Sequence, residues 1–452
     1  MKSMRLLPVL IAASLMTGQR GTAQSDIREL NVEGLKVIFK KIPKEVATAS
    51  FFIRGGVANQ TDSTQGIEAL ALSLAIRGGT QSLNKGAFAT EAEKMGTRYS
   101  SVARQDYSSF NMSCLLENWN KSWQLFTEAI LHPAMDSGEF QTIRQQMLAS
   151  ARQQESNPDA YLRKLASEQL FHGTPYARMP NGIPETLEKL NLSEVRQYYA
   201  GLTGKKNCFL VVVGNLDEKD LVQRVRSGFS HLPEGNLAPA NSISGVSQEE
   251  VQIKDRNIAT NYILGNLNGP KYYTADGPLF EFAMSILYDR YFVELRTKRS
   301  LSYAPAAFYN NSMIDNPLVQ LYISTIDPKQ SLQVMTDIIN DVKANGFTPK
   351  EVADKKKEYL TNYYVGNESS SSQAGRLGFC EASGNWRLYD EVNRRIGQVN
   401  ADEVSTVFRK YMNHIAWTYL GKKDKVEVSD FKQPAPAGKN LPASKISEIK
   451  KG

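Results

Sequence analysis

The imidazole and thiol side chains, the usual zinc ligands, are few and scattered in this 452-residue chain. The four histidines are His132, His172, His231 and His414, and none has another histidine or a cysteine within helical reach. A zinc site needs several nitrogen, sulfur or oxygen donors converging on one point, so these histidines read as ordinary surface or core residues. Cys114, Cys208 and Cys380 are far apart and odd in number, and no CxxC occurs. That leaves room for one disulfide in an oxidising compartment but gives no framework and no thiolate metal site.

The elements that must carry any site belong to a chain too long for one ordinary domain, with length suggesting two or three. Hydrophobic content of 41% and charged content of 22% suit a globular protein with a real core. Residues 1–23 read as a secretory signal peptide. Lys2 and Arg5 precede an apolar run from Leu6 to Thr17, and Gly21-Thr22-Ala23 supplies small residues for cleavage. The run is too short to span a bilayer, and no other stretch is long and apolar enough, so the expectation is an exported protein without a membrane span, periplasmic or extracellular. The net charge of +7 is confined to the ends: the first 24 residues carry three positive charges and residues 432–452 carry four net, leaving 25–431 neutral. A neutral body has no field to attract phosphates, which argues against a nucleic-acid partner. Residues 432–452, rich in Lys, Pro, Ala and Ser, read as a disordered basic tail.

An internal repeat organises the remainder. Asn191-Leu192-Ser193-Glu194-Val195 returns as Asn400-Ala401-Asp402-Glu403-Val404. Each opens a helix with an Asn cap and a glutamate three residues on. Each helix leads to an apolar strand ending in glycine, Phe209 to Gly214 and Trp417 to Gly421, with Asp217 and Asp424 three residues later. Cap, strand, glycine and acid in the same order point to duplication. The starts agree too: Val46 to Ile53 reads as a strand before Gly55-Gly56, and Tyr262 to Leu264 as a strand before Gly265. Apolar helices follow near 64–76 and 277–298, then alternating strands at Tyr107–Leu116 and Val319–Thr325. Residues 233–248, with two prolines and two glycines, read as a linker between halves at 25–232 and 249–431. Strands and helices mix without strict alternation, which predicts an α+β fold of two tandem α/β rolls, each an antiparallel sheet covered by helices.

Several runs resemble the insulinase/pitrilysin-type zinc peptidases, the inverzincins, in their half-length form. These are Gly55-Gly56-Val57, Gly66 to Leu70 leading to Gly79-Thr80, the helix at 140–155 ending Glu155-Ser156-Asn157-Pro158, His172 to Tyr176, and Glu294 to Tyr303. In that family the first helix carries H-x-x-E-H, two zinc ligands and a general base. Counting back from Gly79-Thr80 puts these positions at Leu70, Ser73 and Leu74, and the third ligand falls at Ser150. Leucine offers no donor, and a neutral serine hydroxyl cannot take a proton from water near neutral pH. The residues themselves agree: Ile67, Leu70, Ala71 and Leu74 form an apolar stripe, and Leu72, Ala75 and Ile76 make the other side apolar as well, predicting a buried helix.

The resemblance implies that Arg296 and Tyr303 match a paired Arg and Tyr that reach a substrate across a closed chamber. A guanidinium and a phenol can donate hydrogen bonds to a carbonyl oxygen as it gains negative charge. The plainer alternative is an Arg meeting a helix dipole and a Tyr packing on a sheet. The resemblance also implies an edge strand that pairs with an extended peptide, for which Arg98-Tyr99-Ser100-Ser101-Val102 is the candidate, with an ordinary sheet edge as the alternative. The implied function is a noncatalytic subunit of an exported heterodimeric zinc metallopeptidase. This chain would hold no cofactor. A zinc-bearing homologous partner would supply the metal, and extended peptides would be the substrate. The alternative is a pseudopeptidase that binds peptides or acts as a scaffold, as a homodimer, with no zinc partner.

Overall fold

The computed structural model describes residues 26–239, 241 and 245–432. The signal-like start, the basic tail and part of the linker lie outside the described residues. The first half runs β1 (Ile27–Val32), β2 (Leu35–Lys41), β3 (Val46–Arg54), α1 (Ile67–Arg77), α2 (Lys85–Lys94), β4 (Arg98–Ala103), β5 (Tyr107–Leu115), α3 (Trp119–Leu131), α4 (Ser137–Ser156), α5 (Pro158–Leu170), α6 (Pro184–Leu187), α7 (Leu192–Leu202), β6 (Cys208–Gly214) and α8 (Glu218–Phe229). The second runs β7 (Glu250–Asp255), β8 (Asn261–Asn268), α9 (Gly277–Tyr291), β9 (Ala306–Asn310), β10 (Leu318–Thr325), α10 (Pro328–Asn345), α11 (Pro349–Gly366), α12 (Ser370–Ala382), α13 (Leu388–Gln398), α14 (Ala401–Tyr411) and β11 (Ala416–Gly421).

The sheets have the orders β1-β2-β6-β3-β5-β4 and β7-β11-β8-β10-β9. With β1 set aside, the two orders superpose strand for strand, so the duplication extends to topology. The fold is α+β in two tandem units, as the patterning predicts. Each sheet is mixed, however: β2 with β6 and β7 with β11 are parallel pairs. Strand alternation in a sequence cannot reveal direction. Every residue of β6 and β11 is buried, which is the pattern of an inner strand covered on both faces.

Both capping boxes of the repeat form. The Asn191 and Asn400 side chains accept from the N–H of Glu194 and Glu403 at 3.0 Å, and each glutamate accepts in return from its asparagine's N–H at 3.0 Å. The symmetry fails in two places. Gly265 lies inside β8 rather than at a strand end, because a Cβ there would sit 2.7 Å from the Trp417 ring on β11. Asp217 caps α8 through the N–H groups of Lys219 and Asp220, whereas Asp424 sits in a short 3-10 turn with no α-helix after it among the described residues.

The halves interlock reciprocally. From the first half, α5 crosses the open face of the second sheet, where Leu162 and Ala166 pack with Leu264, Tyr322 and Leu420. From the second half, α12 runs along β3. Its start meets Thr48 through Ser370 at 2.9 Å, its middle places Gly378 on the Phe52 ring, and its end holds Arg54 through Glu381 at 2.7 Å. A Cβ on Gly378 would fall 1.9 Å from Phe52 Cζ, so only glycine lets this helix lie so close. The central strands β6 and β11 are thereby covered within one chain, while the outer strands β4 and β7 stay exposed or half-buried.

Candidate peptide-facing site

The first half builds the site around α1. Gly66 precedes the helix in a left-handed conformation (φ +88°), and a Cβ there would meet Gly182 Cα at 2.7 Å. Nine of the helix's eleven residues are buried, with Leu70 and Leu74 fully buried (0% exposed) in the first hydrophobic core. Ser73 is half-buried and Arg77 is exposed. The residues do not fit zinc: at the expected positions stand two core leucines and a hydroxyl. A register shift of one residue changes nothing, since Ala69, Leu72 and Ser73, or Ala71, Leu74 and Ala75, are equally poor in donors. Among the described residues no group of three His, Cys, Asp or Glu side chains could hold a metal ion.

Ser150 lies exposed on α4. The helices run antiparallel: a Cβ on Gly78, at the end of α1, would lie 3.7 Å from the N of Asp136, the cap of α4. Arg77 hydrogen-bonds Gln146 at 3.1 Å and pairs with Glu139 at 3.1 Å. One turn back on α1 and one turn on along α4 reach Ser73 and Ser150. The two helices pack side by side, and the positions that the resemblance implies for ligands and base carry leucines and hydroxyls.

Sequence reasoning missed Glu68, a fully buried carboxyl on α1. It accepts from Asn59 Nδ2 at 3.1 Å and from the hydroxyls of Ser108 and Tyr198. Burial raises its pKa and the three donors oppose that rise. With all its partners in the protein, it ties α1 to β5 and α7 as a structural post. Its signal was a lone acid inside an apolar run. The three cysteines are buried free thiols, pushed up by burial to about 11 for Cys114 and about 12 for Cys208 and Cys380. Such thiols are unreactive near neutral pH.

The second half supplies Arg296 and Tyr303. After α9 the chain continues as a π-helix over Phe292–Lys298, a wider coil often found at functional sites. Ser300 then takes a left-handed conformation (φ +51°), and the Leu301 N–H returns to the Leu295 carbonyl at 2.8 Å. This reversal folds Tyr303 back over Arg296. The guanidinium carbon lies 4.2 Å from the Tyr303 ring centroid and 4.8 Å from that of Phe292. Lys298 and Arg299 are both occupied by Glu294, while the Arg296 side chain has no hydrogen-bond acceptor or carboxylate partner among the described residues. Tyr303 is 79% exposed. The pair is therefore assembled and held by ring faces, with its donors directed away from internal partners.

The strand Arg98–Val102 lies within β4, which is the outermost strand of the first sheet and pairs with β5 alone. Its residues are exposed or half-buried throughout. Tyr99 differs from its neighbours: its hydroxyl donates to the Ser122 carbonyl at 2.9 Å and its ring packs near Phe88, so it anchors the strand. Asp106, in the turn to β5, was not foreseen. It accepts from Tyr176 Oη at 2.6 Å, Asn241 Nδ2 at 2.5 Å and the Ile314 N–H at 2.6 Å, tying the β4–β5 turn to the linker and the second half. Gly56 (φ +50°) is needed here because a Cβ would lie 2.3 Å from the Gln105 carbonyl oxygen.

Residues 36–180 match the family described as Insulinase (Peptidase family M16), and residues 189–359 match the Peptidase M16 inactive domain. The chain belongs to peptidase family M16. It is 24% identical over 358 residues to the non-peptidase homolog YmxG of Helicobacter pylori, covering 76% of this chain and 82% of that protein. It is 20% identical over 389 residues to the uncharacterized zinc protease YmxG of Bacillus subtilis, covering 83% and 93%. It is also 19% identical over 292 residues to subunit 1 of the bovine mitochondrial cytochrome b-c1 complex, covering 63% and 61%. Its fold matches a peptidase M16 inactive domain from Pseudomonas fluorescens with TM-score 0.80 at 19% identity, covering 88% of this chain and 98% of that one. A protease from Helicobacter pylori gives TM-score 0.81 at 15% identity, covering 88% and 100%.

Proposed function

We propose that this noncatalytic chain is the zinc-less subunit of an exported heterodimeric M16 metallopeptidase, presenting Arg296 and Tyr303 to a peptide held on a zinc-bearing homologous subunit. The observation that carries this reading is the state of the pair. Arg296 is clamped between Phe292 and Tyr303 and spared the ion pairing that occupies Lys298 and Arg299. A scaffold needs no such arrangement. A guanidinium and a phenol held together with free donors suit the developing charge on a scissile carbonyl. With α5 packed on the second sheet and α12 on the first, the proposed peptide chamber lies between two chains rather than between the halves of one. A second chain supplies the other wall, and β4 offers an edge to an extended peptide. The relative in the cytochrome b-c1 complex is by its name a subunit of a larger assembly, which fits a partnered life. The basic and then apolar start supports export, and no helix among the described residues is long and apolar enough to cross a membrane.

The test is reconstitution with an H-x-x-E-H homologue from the same source. The mixture is expected to elute as a one-to-one complex and to cleave peptides that neither chain cleaves alone. A partner fully active by itself and indifferent to this chain would leave the scaffold reading, as a homodimer, in its place.

A further inference from the structure

A second cluster of chemistry lies in the other half, apart from α1 and from Arg296. A cavity of about 330 Å³ opens between α9, α11 and α12, at the small end of ligand-pocket sizes. Its ionic lining comprises Glu281 on α9, Lys355 and Glu358 on α11 and Arg376 on α12. Two of these are already committed: Lys355 pairs with Glu358 at 2.8 Å and with Asp289 at 2.5 Å. The other two, Glu281 and Arg376, sense each other's charge but form no ion pair, and no hydrogen-bond donor is directed at the Glu281 carboxyl from the described residues. Arg376 lies over the Tyr363 ring, 4.3 Å from its centroid, and meets the Tyr359 hydroxyl, with no carboxylate partner among the described residues, so part of its planar fork is left for a further acceptor. Tyr272 and Phe379, edge to face at 5.1 Å, and Tyr359 line the same cavity.

One carboxyl and one guanidinium share this cavity without pairing, beside the rings of Tyr272, Tyr359, Tyr363 and Phe379. Glu281 is half-buried at the cavity, and the removal of water on that side pushes its carboxyl up to about 7. A ligand bearing an ammonium and a carboxylate would satisfy both ends. The carboxylate would take the planar fork of Arg376. The ammonium would meet the Glu281 carboxylate and the tyrosine faces, a lining suited to a cation.

We infer that this cavity is a binding site for a small zwitterion of the α-amino-acid class with an apolar or aromatic side chain. The inference is independent of the heterodimer reading, since it involves neither Arg296 nor a partner chain.

The test is calorimetric titration of the full chain with L-phenylalanine as probe. Saturable one-to-one binding is expected. N-acetyl-L-phenylalanine, which lacks the ammonium, and L-phenylalaninamide, which lacks the carboxylate, are each expected to bind at least about tenfold more weakly. Glu281→Gln should weaken phenylalanine at least about tenfold while leaving the acetylated probe unchanged, and Arg376→Gln should do the same with the amide left unchanged. The blocked probes test the idea on the unaltered chain, so a variant that folds poorly does not decide it. No saturable binding of phenylalanine at roughly millimolar concentration, or equal binding of all three probes, would overturn the inference.

Discussion

Restoring the family's histidines would test whether α1 has become core. In Leu70→His/Leu74→His, two fully buried side chains are replaced by imidazoles. Each substitution forfeits about 1.5–3 kcal/mol of transfer energy. Each also strands polar nitrogens among Phe110, Ala129 and other core residues of the first half, at about 1–3 kcal/mol per unsatisfied group. The pair therefore costs on the order of 5–12 kcal/mol, comparable with the whole stability of a domain. Urea unfolding followed by tryptophan fluorescence, with and without zinc, measures this directly. The expected result is a large fall in midpoint, or no soluble protein, with no rescue by metal. A working site would instead gain about 4 kcal/mol from zinc at a thousand times its dissociation constant. A double variant as stable as the parent, or one stabilised by zinc to that degree, would refute the claim that these positions are packed core.

Gly378→Ala places a methyl group 1.9 Å from Phe52 Cζ and should cost about 1–3 kcal/mol through overpacking. Phe52→Leu in the same chain should recover part of that loss in thermal melts, and additive losses would mean that α12 does not bear on Phe52. Glu281 should make stability pH-dependent in a defined direction. Its carboxyl is raised from an ordinary 4.5 to about 7, so the native chain holds a proton that the unfolded chain releases. Its contribution is fully present below about pH 4.5 and is lost as pH rises through about 7, by about 3 kcal/mol at most. Denaturant midpoints of Glu281→Gln should lack that fall, and a variant tracking the parent across the window would contradict it. Asp106→Ala leaves Asn241 and the Ile314 N–H without their carboxylate and should cost about 1–3 kcal/mol. Faster hydrogen exchange in β4 is the accompanying sign, and unchanged exchange would separate Asp106 from the edge strand.

What the sequence made legible was local or repeated. The Asn191 and Asn400 caps and the apolar stripe of α1 are set by residues within one or two helical turns, whereas the assignment of Leu70, Ser73 and Leu74 to zinc and base positions rests on the resemblance. The pairing of Arg296 with Tyr303 came from the resemblance rather than from spacing, because the π-helix and the left-handed Ser300 that bring them together have no periodic signature. Non-local features stayed hidden. Nothing near Pro158 or Ser370 announces that α5 and α12 cross to the other half's sheet, since an apolar helix face does not say which sheet it covers. Gly265 was misplaced for the same reason: the Trp417 ring that requires it is more than a hundred residues away in the chain. Asp106 sits in what reads as an ordinary turn, and its three partners come from three separate segments.

On the proposed function, the Arg296–Tyr303 pair acts in trans on a peptide held by a zinc-bearing partner. The most direct measurement is the kinetics of the reconstituted heterodimer carrying Tyr303→Phe, and separately Arg296→Leu, in this chain. Both complexes are expected to assemble normally, with kcat reduced by about a hundredfold or more and KM little changed, as for removal of an oxyanion donor. Full turnover by both variant complexes would contradict action in trans.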